Sequence, residues 1–153
     1  GAMTQQGDPF ELSRFVTAQD PIFDDVLAEF RAGRKQTHWM WFVFPQLSAL
    51  GRSPTAQFYG IRSLDEARAY LAHPVLGQRL VRATDAALAV KGRSAHEIFG
   101  SPDDLKFRSS MTLFDEAAGG ETERFQVALE RFYAGEPDRK TLDLIRSAAP
   151  DPA

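Results

Sequence analysis

Signals that begin and end α-helices recur along this chain, and they constrain its fold more than any other feature. Two capping boxes, in which a serine stands three positions before a glutamate, begin at Ser63 and Ser94. Asp138 and the pair Asp20-Pro21 are expected to cap two more helices, because proline suits the first helical position. A further start is predicted at Ser101-Pro102-Asp103-Asp104. The glycines that would end helices are Gly33, Gly92, Gly100 and Gly135.

Apolar side chains between these signals repeat with the spacing of a helix. The clearest stripe follows the i, i+3, i+4, i+7 and i+8 positions and consists of Phe125, Ala128, Leu129, Phe132 and Tyr133. No two alternating runs are joined by Asn-Gly or Asp-Gly, so the sequence signal for a β-hairpin is missing. The sequence therefore predicts an all-α fold, a compact single-domain bundle of about seven helices.

The two ends of the chain differ from its body. Gly1-Ala2-Met3 resembles the scar that a protease leaves when an expression tag is removed, and the residues up to Gly7 are predicted to form a loose lead-in. Residues 148–153 contain two prolines and are expected to fray. We therefore predict one helical domain over residues 8–147, and a domain of this size buries about two-thirds of the surface that its unfolded chain exposes.

An apolar and aromatic run, residues 38–44, fits the helical spacing less clearly. A run of this length is compatible with a buried strand or with a buried helix. We predict a helix, because Thr37 could cap it and the surrounding segments are helical. The following stretch, residues 45–60, contains several glycines and prolines and is predicted to be the longest loop. Long loops in compact domains often carry function.

The composition argues against several kinds of site and partner. The chain has no cysteine, which removes disulfides and thiolate ligands and suits the reducing cytoplasm. We predict no metal and no cofactor, because the three histidines lack metal-ligand spacing and no phosphate-binding glycine loop is present. The net charge of -3 argues against non-specific nucleic-acid binding, and no apolar stretch is long enough for a membrane span. The 14 arginines against 4 lysines indicate either an anionic ligand or a GC-rich genome.

The first candidate site residues lie in the aromatic run. Both tryptophans, Trp39 and Trp41, stand beside His38. Such a cluster could stack a base or a sugar, with the imidazole as general acid or base. We predict His38 as a catalytic residue and the two tryptophans as ligand-binding residues. The alternative is that the aromatic side chains pack in the core.

A second group of candidates lies at the start of a predicted helix. Asp103 and Asp104 are predicted as catalytic residues that activate water or stabilise a developing positive charge. Lys106, with Ser109 and Ser110 one turn further on, is predicted to bind a phosphate or a ribose. The alternative is that the two carboxylates complement the helix dipole and that the lysine is solvated.

Three more candidates lie in or beside the predicted loop. Gln46, Arg52 and Tyr59 could line the mouth of a pocket, and Arg52 could also hold a phosphate. The alternative is that they are solvated loop residues. We predict that the pocket lies between the segment His38–Gln46 and the helix Asp103–Thr112, which would require these two segments to meet in the fold.

The run Thr37-His38-Trp39-Met40-Trp41-Phe42-Val43-Phe44-Pro45-Gln46 resembles the signature of a bacterial, fungal and plant family known as domain of unknown function 1810. Later segments agree with the same family, namely Tyr70–Pro74, Ile98–Lys106 and Ser109–Phe114. The resemblance covers about residues 10 to 145. It implies a compact helical fold and no established activity.

A looser resemblance bears on function. His38 and the aromatic residues after it occupy a place similar to that of a histidine and aromatic run in the NADAR family, whose members resemble N-glycosidases that act on ADP-ribose and related nucleotides. The glutamate that precedes the histidine in that family is Thr37 here. With the candidates above, the resemblance predicts binding of a small anionic ligand, a nucleotide or ADP-ribose derivative, with hydrolysis of its N-glycosidic bond as a further activity. The alternative is a non-catalytic helical protein-interaction module.

Overall fold

A computed structural model describes residues 7–148, and helices account for most of this part of the chain. In chain order the α-helices are α1 (Ser13–Gln19), α2 (Phe23–Arg31), α3 (Met40–Val43), α4 (Pro54–Phe58), α5 (Leu64–Ala72), α6 (Leu76–Leu88), α7 (Ala95–Phe99), α8 (Asp103–Ala118), α9 (Arg124–Tyr133) and α10 (Arg139–Ser147). The described residues contain no β-strand, although Leu47 and Ile61 pair through a single parallel bridge. The all-α prediction is confirmed.

Each of the seven predicted helices is present, as α2 and α5 to α10. Their caps explain why the sequence signals were clear. The hydroxyl of Ser94 accepts the N–H of Glu97 at 3.1 Å, and the Glu97 carboxylate accepts the N–H of Ser94 at 2.8 Å, which completes the capping box. Asp138 accepts the N–H of Thr141 at 3.1 Å in the same way at the start of α10.

Two of the predicted helix caps are wrong, although both helices are present. Asp20 does not cap α2, because its own backbone is still helical and closes α1. Its carboxylate instead accepts a hydrogen bond from Arg79 on α6 at 2.8 Å. At the start of α8, Pro102 holds the cap position and no side chain caps the helix. The carboxylates in the first turn of α8 are left to complement its dipole.

Three further helices, α1, α3 and α4, are short. The helix predicted over residues 38–44 is present only as the single turn α3, and Thr37 does not cap it, because Trp39 holds the cap position and the Thr37 hydroxyl donates to Glu29. Residues 45–60 are more regular than predicted, because they contain a 3-10 turn at Ser48–Leu50 and the five-residue α4. Gly60 lies so close to this turn that a Cβ atom on it would be 2.4 Å from the Cα of Ser48. Any other residue there would force the two segments apart.

Helix α8 is the centre of the core. It packs against α3, α5, α7, α9 and α10, while α6 packs against α2, α5 and α9. Its buried side chains include Phe107, Met111, Leu113 and Phe114. Phe107 stacks on Phe99 with ring centroids 4.5 Å apart and meets Phe44 edge-on at 4.9 Å. These ring contacts join the aromatic segment to α7 and α8.

The terminal residues fall mostly outside the range that the structure describes. The predicted tag scar Gly1–Met3, most of the predicted lead-in and most of the predicted frayed tail lie outside the described residues. The domain limits at residues 8 and 147 stay a prediction. Within residues 7–148, every helix is too short or too polar to span a lipid bilayer.

Candidate functional site

The segment before the aromatic run is fixed by one carboxylate, Glu29 on α2. Its Oε1 accepts the backbone N–H of Gln36 at 2.6 Å and of Thr37 at 3.1 Å, and the indole N–H of Trp39 at 3.0 Å. Its Oε2 accepts the Thr37 hydroxyl at 2.5 Å. Partial burial alone would raise the pKa of Glu29, but these hydrogen bonds outweigh burial and hold the pKa below its ordinary value.

The two tryptophans have different environments. Trp39 is only 1% exposed, and its ring contacts Phe30 and Phe44 with centroids 5.6 and 6.2 Å away. Its ring therefore belongs to the core and is not open to a ligand in this structure. Trp41 is partly exposed, and the ammonium of Lys106 lies 5.8 Å from its ring centroid. Of the two predicted stacking residues, Trp41 is the one that a ligand could reach.

The segments His38–Gln46 and Asp103–Thr112 meet where the rings of Phe44 and Phe107 pack, with centroids 4.9 Å apart. Lys35, which precedes the first segment, contacts the start of the second. Lys35 forms an ion pair with Asp103 at 3.0 Å, donates to the Thr37 carbonyl at 2.6 Å and lies 5.0 Å from the Trp39 ring centroid. The other oxygen of Asp103 is 3.9 Å from the ammonium of Lys106. Asp103 is therefore held between two cations at the start of α8.

The second carboxylate of the pair has different partners. Asp104 Oδ2 lies 3.4 Å from Nδ1 of His96 on α7, and Oδ1 accepts the N–H of Leu105 at 2.9 Å. The Tyr133 hydroxyl donates to the Asp104 backbone carbonyl, which fixes α9 to the start of α8. Burial is the main reason why the pKa of Tyr133 lies above its ordinary value, so the phenol stays a neutral donor.

The other predicted residues take part in separate contacts. His38 is exposed, and so is Arg52. The backbone carbonyl of Gln46 accepts the N–H of Ile61 at 2.9 Å, and the ring of Tyr59 packs against Phe42 at 5.2 Å. None of the hydrogen bonds or ring contacts that these four residues form within residues 7–148 involves the acidic pair.

The two serines of α8 face the interior. Ser109 is buried, and its hydroxyl lies 3.2 Å from the Leu105 carbonyl and 3.1 Å from the Asp138 carboxylate that caps α10. Ser110 is fully buried, and its hydroxyl has no hydrogen-bond partner within the described residues. In this arrangement neither hydroxyl is positioned to share a ligand with Lys106, and their predicted role stays a prediction.

A hollow of about 380 Å³ lies beside the acidic pair, and we call it the Gly100 hollow. It is lined by Arg34, Lys35, Arg93, His96, Glu97, Ile98, Phe99 and Gly100. Lys35 and His96 are the direct partners of Asp103 and Asp104, so the hollow lies next to the carboxylates. Its volume falls within the range of about 300–1,000 Å³ that is usual for small-molecule sites.

A second concave surface, the α2–α6 groove, has a volume of about 850 Å³. Its apolar lining comes mainly from Leu27, Phe30, Ala86, Ala89 and Val90, and its charged lining consists of Arg31, Arg82, Lys91, Arg93 and one carboxylate, Asp85, which pairs with Arg124. Arg93 lines both this groove and the Gly100 hollow. The two concave surfaces are therefore neighbours.

We use the term basic surface for the five cations Arg31, Arg34, Arg82, Lys91 and Arg93. Within residues 7–148, none of them has a carboxylate oxygen within 4.0 Å, and the same holds for Arg52, Arg108, Arg131, Arg139, Lys140 and Arg146. The five differ from those other cations because all of them line one or both of the neighbouring concave surfaces. A basic residue in the last turn of a helix complements the helix dipole, which accounts for Arg31 on α2. The other four positions lie outside a last helical turn, so that explanation does not cover them.

The sequence did carry a signal for this surface. Two short basic runs that contain a glycine lie at helix ends: Arg31-Ala32-Gly33-Arg34-Lys35 begins at the last residue of α2, and Lys91-Gly92-Arg93 follows α6. Because a glycine is typical of a helix end, neither run by itself indicates a site. Within residues 7–148, no group of three His, Asp or Glu side chains is arranged to hold a metal ion.

Comparisons with known proteins give one family model and one similar solved structure. Residues 9–145 match the family model described as "Protein of unknown function (DUF1810)". The chain is similar to the conserved hypothetical protein Rv1873 from Mycobacterium tuberculosis, whose crystal structure shares 54% sequence identity and a TM-score of 0.90 over 92% of this chain and 100% of that chain. A search of the curated proteins gave no match. The protein therefore belongs to the DUF1810 family.

Proposed function

We propose that the protein binds a small anionic ligand in the Gly100 hollow. The observation that supports this most directly is the convergence of three cationic side chains, Arg34, Lys35 and Arg93, on one concave surface. Asp103 neutralises Lys35, and Glu97 also lines the hollow, where the hydrogen bond from Ser94 and the nearby charge of Arg93 lower its pKa. Within residues 7–148, neither arginine has a carboxylate oxygen within 4.0 Å, so the two guanidinium groups remain available to an anion. Like charges that face one hollow repel each other, and an anion bound between them would relieve that repulsion.

A phosphate group is the first candidate for this anion. A guanidinium group can donate two parallel hydrogen bonds to a phosphate, which suits both Arg34 and Arg93. Lys106 extends the site, because it contacts Asp103 on one side and the partly exposed Trp41 ring on the other. A ligand larger than phosphate could use both, and we therefore propose a nucleotide or an ADP-ribose derivative.

Hydrolysis of the N-glycosidic bond of such a ligand is a second candidate activity. Asp104, next to His96 at the edge of the hollow, would accept a proton from water while the water oxygen bonds to the anomeric carbon. The bond from that carbon to the base nitrogen breaks, and the base leaves with the electron pair and takes up a proton. We propose His38 as the donor of that proton. Chromatography of nucleotides incubated with the protein tests this, and Asp104→Asn should retain binding but release no base.

A thermal-shift experiment tests the binding proposal. Inorganic pyrophosphate, ADP and ADP-ribose are added separately, because a ligand at 100 times its Kd adds about 2.7 kcal/mol to the free energy of unfolding. We expect each to raise the melting temperature of the wild-type protein. Arg93→Ala should abolish the increase. Arg146→Ala is the matched control, because it removes the same charge from the exposed last turn of α10.

Two results would contradict the binding proposal. The first is an unchanged melting temperature with all three phosphate compounds at millimolar concentration. The second is an equal loss of the shift in Arg146→Ala and in Arg93→Ala, which would mean that the ligands respond only to overall charge.

A non-catalytic helical interaction module is the other candidate function, and one observation favours it. Trp39 and Phe44 are both 1% exposed, as expected if the aromatic run serves the core, while Phe58 is 59% exposed and could contact a partner protein. A protein with this function would show no response to the phosphate compounds, and Phe58→Ser would leave its melting temperature unchanged.

A further inference from the structure

We infer that the α2–α6 groove is an extension of the Gly100 hollow and that it receives the ring-bearing part of the ligand. The inference rests on the proposed function, because it takes the anionic end to be bound at Arg93. Among the ligands proposed above it selects those with a diphosphate, and it places an uncharged aromatic ring system of the ligand in the groove rather than against Trp41.

Arg93 is the residue that connects the two surfaces. It lines both of them, and it has no carboxylate partner within residues 7–148. Its side chain lies across Gly33, where a Cβ atom would be 3.5 Å from Arg93 Cδ and 4.0 Å from Val90 Cγ1. The backbone of Gly33 has φ +86°, a conformation that residues other than glycine rarely adopt. An anion bound by the Arg93 guanidinium would therefore lie at the junction of hollow and groove.

The groove differs from the Gly100 hollow in its chemistry. Leu27, Ala86, Ala89 and Val90 give it an apolar floor, and three more cations, Arg31, Arg82 and Lys91, stand around that floor. An anion by itself gains nothing from an apolar floor, whereas an aromatic ring buries apolar area there. Guanidinium groups also stack on ring faces, and Arg82 already does so with Phe23, at 5.5 Å from the ring centroid.

The overall charge makes this local arrangement more significant. The chain carries a net charge of -3, and within residues 7–148 eleven of its 18 lysines and arginines have no carboxylate oxygen within 4.0 Å; five of those eleven line the two neighbouring concave surfaces. A cleft lined mainly by charges of one sign raises the local concentration of ligands of the opposite sign. An aromatic ring on the floor with a diphosphate at Arg93 would match both the apolar and the cationic parts of the surface.

Calorimetric titration with three compounds tests the inference: inorganic pyrophosphate, adenosine and ADP. We expect ADP to bind at least about tenfold more tightly than pyrophosphate, which corresponds to about 1.4 kcal/mol, and adenosine to bind more weakly than either. Arg93→Ala should weaken both phosphate compounds. These expectations separate the contribution of the ring from that of the charge.

The floor is tested by Ala89→Leu. Ala89 is exposed and closes α6, so a larger neutral side chain there would occupy the groove without disturbing the core. The substitution should remove the advantage of ADP and leave the Kd of pyrophosphate within about twofold. Ala72→Leu is the matched control, because Ala72 is an exposed alanine at the end of α5 and lines a different hollow.

The outcomes separate the inference from the proposed function. Equal affinities for pyrophosphate and ADP, or an ADP affinity unchanged by Ala89→Leu, would overturn the inference and leave anion binding intact. If neither phosphate compound binds, the proposed function itself is refuted. If ADP binds but Arg93→Ala has no effect, both are refuted, because the ligand must then lie elsewhere.

Discussion

In the part of the molecule that the structure describes, polar side chains have partners within the protein in one region and lack carboxylate partners in the region beside it. Around Glu29, one carboxylate accepts four hydrogen bonds from Gln36, Thr37 and Trp39. Around Gly33, only a few residues further along the chain, five cations have no carboxylate partner within residues 7–148. Lys35 stands between the regions and belongs to the first, because Asp103 neutralises it.

The difference indicates in which of the two regions the polar side chains stabilise the fold. Buried polar groups must find partners inside the protein, since an unpaired one costs about 1–3 kcal/mol. The fully buried Glu66 obeys this rule, with Arg14 at 2.9 Å and Arg62 at 3.3 Å. Exposed cations are under no such constraint. Under the proposed function, their concentration beside two concave surfaces serves ligand binding rather than stability, and the following predictions test that distinction.

The largest effect is expected in the aromatic core. Phe44→Ala removes a ring that is 1% exposed and packs against Phe30 and Phe107, and it should lower the free energy of unfolding by about 3–5 kcal/mol. Urea denaturation measures this. The control is Phe58→Ala, which truncates an exposed phenylalanine and should change the free energy by less than about 1 kcal/mol. Similar losses from both variants would contradict the assignment of the aromatic run to the core.

Removal of the Glu29 charge should have the next largest effect. Glu29→Gln keeps the shape of the side chain but has one acceptor oxygen instead of two, so it cannot accept all the hydrogen bonds that the carboxylate accepts. The variant should lower the free energy of unfolding by about 2 kcal/mol. The exposed Glu121→Gln is the control and should be close to neutral. Loss of pyrophosphate binding in Glu29→Gln without loss of stability would mean that the two regions are not separate.

The same variant has a predictable pH dependence. Hydrogen bonds lower the pKa of Glu29 on folding, so the folded state binds fewer protons at this group than the unfolded state does. Its stabilising contribution is complete above the unfolded pKa, about 4.3 for a glutamate, and is lost as the pH falls through the folded pKa. The difference in unfolding free energy between wild type and Glu29→Gln should therefore be full at neutral pH and shrink in acid.

The contrast between the regions also explains what could be read from the sequence. Helices with local caps, such as those at Ser94 and Asp138, were predictable because the cap and its partner lie three positions apart. For the aromatic run the helix was predictable from its neighbours but its length was not, since periodicity cannot define a helix of only four residues. The cap predicted at Asp20 is wrong because the side chain binds Arg79, which is distant in sequence.

The site was harder to predict than the fold for the same reason. The meeting of the aromatic segment with Asp103 was expected, but the residue that makes the contact, Lys35, lies outside the aromatic run. The basic surface depends on two loops that fold together only in three dimensions, after α2 and after α6. No periodic pattern records such a pairing.

A smaller effect, with opposite signs for stability and binding, is expected at Asp103. Asp103→Asn breaks a partly exposed ion pair with Lys35 and should cost about 1 kcal/mol or less. It also frees that ammonium and removes a repelling charge beside the Gly100 hollow, so pyrophosphate should bind about fivefold more tightly at low salt. Calorimetry checks the affinity, with the exposed Asp143→Asn as control. If Asp103→Asn bound pyrophosphate more weakly than wild type, Asp103 would contribute to binding instead of only reducing the positive charge beside the hollow.

The smallest effect on stability is expected at the basic surface itself. Arg93→Ala and Arg31→Ala should each change the free energy of unfolding by no more than about 0.5 kcal/mol, because neither side chain has an ion-pair partner within residues 7–148. The double variant should be as stable as wild type or slightly more so, since it relieves repulsion between like charges. Urea denaturation and pyrophosphate titration of the same samples check this together. A loss of more than about 1 kcal/mol in Arg93→Ala would mean that the aliphatic part of Arg93 stabilises the fold by packing on Gly33 and Val90. Arg93 would then have a structural role, which would count against its assignment to a ligand site.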